Sequence, residues 1–134
     1  MKKLAFLATL LISSNCIAAE LHNFDEVKTA VMAGKAIHIT VDFNKCSTPV
    51  NNMGEFTPDS VMIDDQKISA SLTHFTMNDP AFVNKPVYEF VTYTLTNDNN
   101  LNLTSLVLSA PDFAPTPAKF TETCKLETAA RIFD

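Results

Sequence analysis

The sequence predicts an α+β fold, with one N-terminal helix packed on an antiparallel meander of about six strands and one disulfide. Three observations carry that expectation. Phe24, Val27, Ala30 and Val31 recur at helical spacing between Asn23 and Gly34. Beyond them the apolar residues alternate with period two, and Asn- and Asp-rich turns separate the runs. The longest such run, Pro86 to Thr96, reads as the central strand. Val87, Val91, Tyr93 and Leu95 share one of its faces with Glu89 set among them, while Tyr88, Phe90, Thr92, Thr94 and Thr96 take the other.

The first residues are of a different kind. Met1-Lys2-Lys3 is a short basic start, Leu4 to Ile12 is apolar but for Thr9, and Ser13 to Ala19 closes with small and polar residues. That is the layout of a secretory signal peptide, residues 1–19, cleaved after Ala19 or Ala18. The apolar run is too short for a stable bilayer span, so no membrane span is expected after cleavage and residues 20–134 form a single domain. Cleavage removes Lys2 and Lys3 and no acid, which leaves 8 basic against 15 acidic side chains and moves the net charge from −5 to −7. An acidic chain with no basic run excludes nucleic acid and anionic membrane surfaces as partners. Cys16 leaves with the leader. Cys46 and Cys124 remain, an even pair in an exported chain, and are expected to form one structural disulfide in a periplasmic or secreted protein.

Along the mature chain, Asn23 caps the helix and Glu26 stands three residues on, as in a capping box. Asp25 and Glu26 suit the positive end of the helix dipole, and Gly34 suits the left-handed position that ends it. Ile37, Ile39, Val41 and Phe43 alternate with His38, Thr40 and Asp42 as a half-buried strand. Residues 44–58, with Pro49, Gly54 and Pro58, read as a polar connection. Val61 to Ile63 and Lys67 to Met77 form a hairpin around Asp64-Asp65-Gln66. The alternation of its second arm breaks at His74-Phe75, where a β-bulge would return Phe75 to the core. Leu101 to Ser109 is a further strand, and residues 110–118, with Pro111, Pro115 and Pro117, read as an extended crossing loop. Phe120, Glu122, Cys124 and Leu126 share a face of the last strand, after which residues 128–134 are expected to fray.

Sites for chemistry are few. No cofactor is expected; the weak candidates for a metal such as zinc are His38 and Asp42, two apart on one strand face, with His74, and no His-x-x-x-His or Cys-x-x-Cys spacing accompanies them. His74 and Glu89, if both turn inward from neighbouring strands, form a polar pair. No nucleophile motif is present, so no catalytic residue is assigned and the balance is against an enzyme.

The residues Phe24-Asp25-x-Val27-Lys28, Gly34, Val41-Asp42-Phe43 with Cys46 close behind, Thr73-His74-Phe75-Thr76, Pro86-Val87-Tyr88-Glu89-Phe90, Tyr93 and Cys124 together resemble the VirK family of exported proteins of Gram-negative bacteria. The resemblance covers about residues 21–126, with departures in the 44–58 connection and after Leu126. It implies export and an association with virulence or host contact, and it carries no reaction. The expected function is therefore an exported binding or accessory module for a protein or small-molecule partner. The alternative is a metal-binding protein or metal-dependent hydrolase using His38, Asp42 and His74.

Overall fold

The computed structural model describes residues 18–79 and 81–134. The signal-peptide assignment therefore lies, but for Ala18 and Ala19, outside the described residues. The domain is mainly β, with nine strands and one nine-residue α-helix among the described residues. This corrects the expected α+β arrangement of a helix on a six-strand meander.

The strands form two antiparallel sheets. One holds β1 (Glu20–Leu21), β9 (Ala130–Phe133), β2 (His38–Asp42) and β3 (Met53–Phe56), in that order. The other is a five-stranded meander of β4 (Ser60–Ile63), β5 (Lys67–Thr76), β6 (Val87–Thr96), β7 (Asn100–Ser109) and β8 (Pro115–Lys125). The Pro86–Thr96 run supplies β6, the middle strand of the meander.

Of the first sheet, only β2 showed in the local pattern, as the strand expected around Ile37 to Phe43. β9 is four residues long, and it becomes a strand because β1 pairs along one edge and β2 along the other. Residues 128–134 therefore do not fray: Ala129, Ala130 and Ile132 are buried in the core. β3 lies inside the expected connection and pairs with β2 from Ile39↔Phe56 to Asp42↔Met53. Its Gly54 is required there, because a Cβ would overlap the Phe56 ring and come within 3.3 Å of Phe43. β8 starts at Pro115 within the expected crossing loop. It is the sheet edge, where a residue without an N–H costs no ladder bond.

Local chemistry explains the helix, α1 (Phe24–Met32). The Asn23 side chain accepts from the Glu26 amide at 3.0 Å, and the Glu26 carboxylate accepts from the His22 amide at 2.7 Å. At the other end Lys35 N–H reaches the Ala30 carbonyl and Gly34 N–H the Val31 carbonyl, with Gly34 at φ 78°. Phe24, Val27 and Ala30 join one buried cluster with Ile39 and Ile132 of the first sheet and Ile68, Tyr93, Leu95 and Leu101 of the second. The helix thus plugs one part of a core made by two facing sheets.

β5 and β6 pair without interruption from Lys67↔Thr96 to Thr76↔Val87, so the expected bulge at His74-Phe75 is absent. Phe75 points outward and is 53% exposed. It is held there by Tyr88, its cross-strand partner at 5.4 Å, on which Phe113 stacks in turn at 5.2 Å. A register shift occurs instead between Leu106 and Leu108, where β7 meets β8.

Candidate functional site

The meander is longer than the first sheet covers. Leu95 and Tyr93 lie under the joint core, whereas Val91 and Glu89, next along the same inner face of β6, open into a cleft of about 300 Å³. Three phenylalanines wall it: Phe43 from the 3-10 turn after β2, Phe56 from β3 and Phe120 from β8. Phe43 meets Phe56 edge-on at 6.4 Å and Phe120 edge-on at 5.8 Å, and Phe56 leans on Tyr93 at 5.2 Å. Leu103 and Ser105 of β7 complete the inner-sheet side.

Two features set this cleft apart from ordinary packing. The Tyr93 side chain is 1% exposed, lines the cleft and has a hydroxyl with no hydrogen-bond partner among the described residues. Burial, and then the nearby Glu89 charge, push that hydroxyl far above the usual phenol range. The Glu89 carboxyl is also raised. Burial is the main cause; His74, 3.7 Å away across the β5–β6 pair, opposes it, and the Asp79 carboxyl reinforces it by charge and hydrogen bonding.

Both features have consequences for stability. A buried hydroxyl without a partner costs about 1 kcal/mol or more. Tyr93→Phe is therefore expected to raise the free energy of unfolding by about 1 kcal/mol in urea titrations, and a loss of that size would show that the hydroxyl is satisfied after all. For Glu89, a folded-state value above the unfolded one means that its stabilisation is complete below about 4.5 and is lost as pH rises through the folded value. Glu89→Gln is expected to remove that decline, so that the variant gains on the wild type as pH rises. Parallel stability–pH curves for the two proteins would contradict it.

A second polar centre is structural. Cys46, at the end of the 3-10 turn, is bonded to Cys124 on β8, with Cα atoms 4.4 Å apart. Next to it the Glu122 side chain, 3% exposed, accepts from the Ser47 hydroxyl at 2.6 Å and the Thr48 amide at 2.8 Å. Burial raises this carboxyl, but the donors from Ser47 and Thr48 together outweigh it and hold the group below its ordinary value. The Ser47 hydroxyl in turn accepts from the Thr123 amide at 3.0 Å. Glu122 had a visible signal, an acid between Phe120 and Cys124 on an apolar face, which the sequence reading passed over.

The metal candidates do not converge. His38 bonds to the Thr57 hydroxyl at 2.9 Å, and Asp42 pairs with Lys45 at 2.8 Å, which holds its carboxyl below the usual range. His74 lies in the other sheet beside Glu89. Among the described residues no group of three His, Cys, Asp or Glu side chains is placed to hold a metal ion. His74 and Glu89 do face each other, as neighbours in register at a distance beyond a hydrogen bond.

Fold and site together define a small two-sheet β domain, clasped by one disulfide and open on one side to an aromatic cleft with an acidic mouth. The chain belongs to the VirK family: the model of the VirK protein family matches residues 20–113. The crystal structure of lpg1832, a VirK family protein from Legionella pneumophila, is similar with a TM-score of 0.80 and 28% identity, covering 86% of this chain and 98% of that one. The uncharacterized protein y4wH of Sinorhizobium fredii is 28% identical over 69% of this chain and 67% of its own length. The uncharacterized protein in the pinF2 3' region of Rhizobium radiobacter is 27% identical over 81% of this chain and 77% of its own. Among the described residues no helix is long and apolar enough to cross a membrane, and the disulfide is compatible with a periplasmic or extracellular location.

Proposed function

We propose that this VirK family protein is an exported binding module that takes a small organic ligand in the cleft between its sheets. The single observation that supports the reading best is the buried Tyr93 hydroxyl at the cleft, left without a partner among the described residues. A concave, largely aromatic site with a few convergent polar groups is the usual form of a small-molecule site, and an orphan polar atom within it is the mark of a contact supplied from outside. The setting is the periplasm or beyond, reached through the leader at residues 1–19, and the role is the virulence or host contact that the family resemblance implies.

The neutral probe N-phenyl-naphthylamine tests the reading. It is expected to saturate the oxidised protein at one site per chain with a rise in fluorescence. Val91→Trp, which fills the cleft, is expected to abolish the signal, and Ser105→Trp serves where that variant does not fold. No saturable signal, or one unchanged in a folded cleft-filling variant, would overturn the proposal.

A further inference from the structure

The charged groups that line the cleft are all acidic, beside the neutral Asn52 amide and Ser105 hydroxyl. Glu89 and Asp79 bring carboxyls to it, Tyr93 brings a hydroxyl, and no Lys, Arg or His lines it among the described residues. The His74 ring stands at 3.7 Å from Glu89 and outside the lining, beyond hydrogen-bond distance. The walls are the edge-packed rings of Phe43, Phe56 and Phe120, surfaces whose π-faces attract cations. An anionic ligand would meet two acids. A neutral apolar one would leave the Tyr93 oxygen and the acidic pair unanswered. An ammonium group brings the positive charge that the two carboxyls lack in the lining.

We propose, resting on the binding reading above, that the cleft selects a small primary amine with an apolar body. Its ammonium group sits among Glu89, Asp79 and the Tyr93 oxygen, and its body lies against the three phenylalanines. Seating the amine requires an ionised Glu89. The groups facing that carboxyl are His74 on β5, Asp79 in the loop after β5 and Tyr93 on β6, while β7 opposite brings only Ser105 and Val107. Because burial, and then Asp79, raise the Glu89 carboxyl, amine binding is coupled to loss of its proton and strengthens as pH rises through the folded value.

Isothermal titration of the oxidised protein with phenethylamine, phenethyl alcohol and phenylacetate tests the inference. The amine is expected to bind at least about tenfold more tightly than the alcohol, the scale of a charge-assisted hydrogen bond, with phenylacetate weakest. Titration in buffers of different ionisation enthalpy, repeated as pH is lowered toward the Glu89 transition, should show proton release that grows for the amine alone. Glu89→Gln should bring the amine down to the level of the alcohol, with Asp79→Asn as the second variant. If the alcohol or phenylacetate matches the amine while the naphthylamine probe still binds, the amine selectivity is wrong and the cleft reading stands. If neither amine nor probe binds, both fall.

Discussion

Replacing Cys46 and Cys124 together by alanine is expected to lower the free energy of unfolding by about 4.5 kcal/mol, from the loop-closure entropy returned to the unfolded chain. The two cysteines are 78 residues apart in sequence, so the bridge closes a long loop that contains β3 and nearly the whole meander. For a domain of this size the loss is a large share of the total and corresponds to a fall in melting temperature of about 15–20 °C. Thermal unfolding followed by circular dichroism measures it, and the wild type under reducing conditions should behave as the double variant does. A fall of only a few degrees would mean that the clasp adds little to what the shared core already holds.

The second large effect lies beside that clasp. Glu122→Ala is expected to cost about 2–4 kcal/mol, because it strips the acceptor from the Ser47 hydroxyl and the Thr48 amide. Glu122→Gln keeps one acceptor oxygen and should cost less. The carboxyl is depressed in the folded state, so its stabilisation is present above the unfolded value of about 4.5 and is lost as pH falls through the folded one. Urea titrations on either side of that window are expected to show the wild type losing stability on acidification and Glu122→Ala losing less. An equal acid loss in both proteins would assign the effect to other carboxyls, with Asp42, Asp64 and Asp98 also depressed.

Sequence pattern alone revealed those elements whose own residues determine them. The helix was legible because Asn23, Glu26 and Gly34 make its ends by local hydrogen bonds. The inner face of β6 was legible because Val91, Tyr93 and Leu95 alternate with Thr92, Thr94 and Thr96 along its second half. β3 and β9 were not, since each is four residues whose strand character comes from partners far along the chain. Phe75 shows the same limit from the other side. An outward aromatic looked like an error of register, and it is accommodated by Tyr88 and Phe113, which only the fold brings beside it. Of the site, the facing of His74 and Glu89 could be anticipated from strand register. Asp79, Phe43, Phe56 and Phe120 could not, because they reach the cleft from a loop, a 3-10 turn and two edge strands.

The position of β9 between β1 and β2 has a kinetic consequence. A chain that emerges with its N-terminus leading, as in synthesis, can zip the meander hairpin by hairpin. The slot beside β2 must wait, since its occupant follows β8. Until then β1 has no neighbour and β2 keeps a bare ladder, an invitation to pairing with another molecule. Docking of this late strand, with Cys124 emerging just before it, closes the interval in which the nascent protein is most exposed to aggregation and proteolysis.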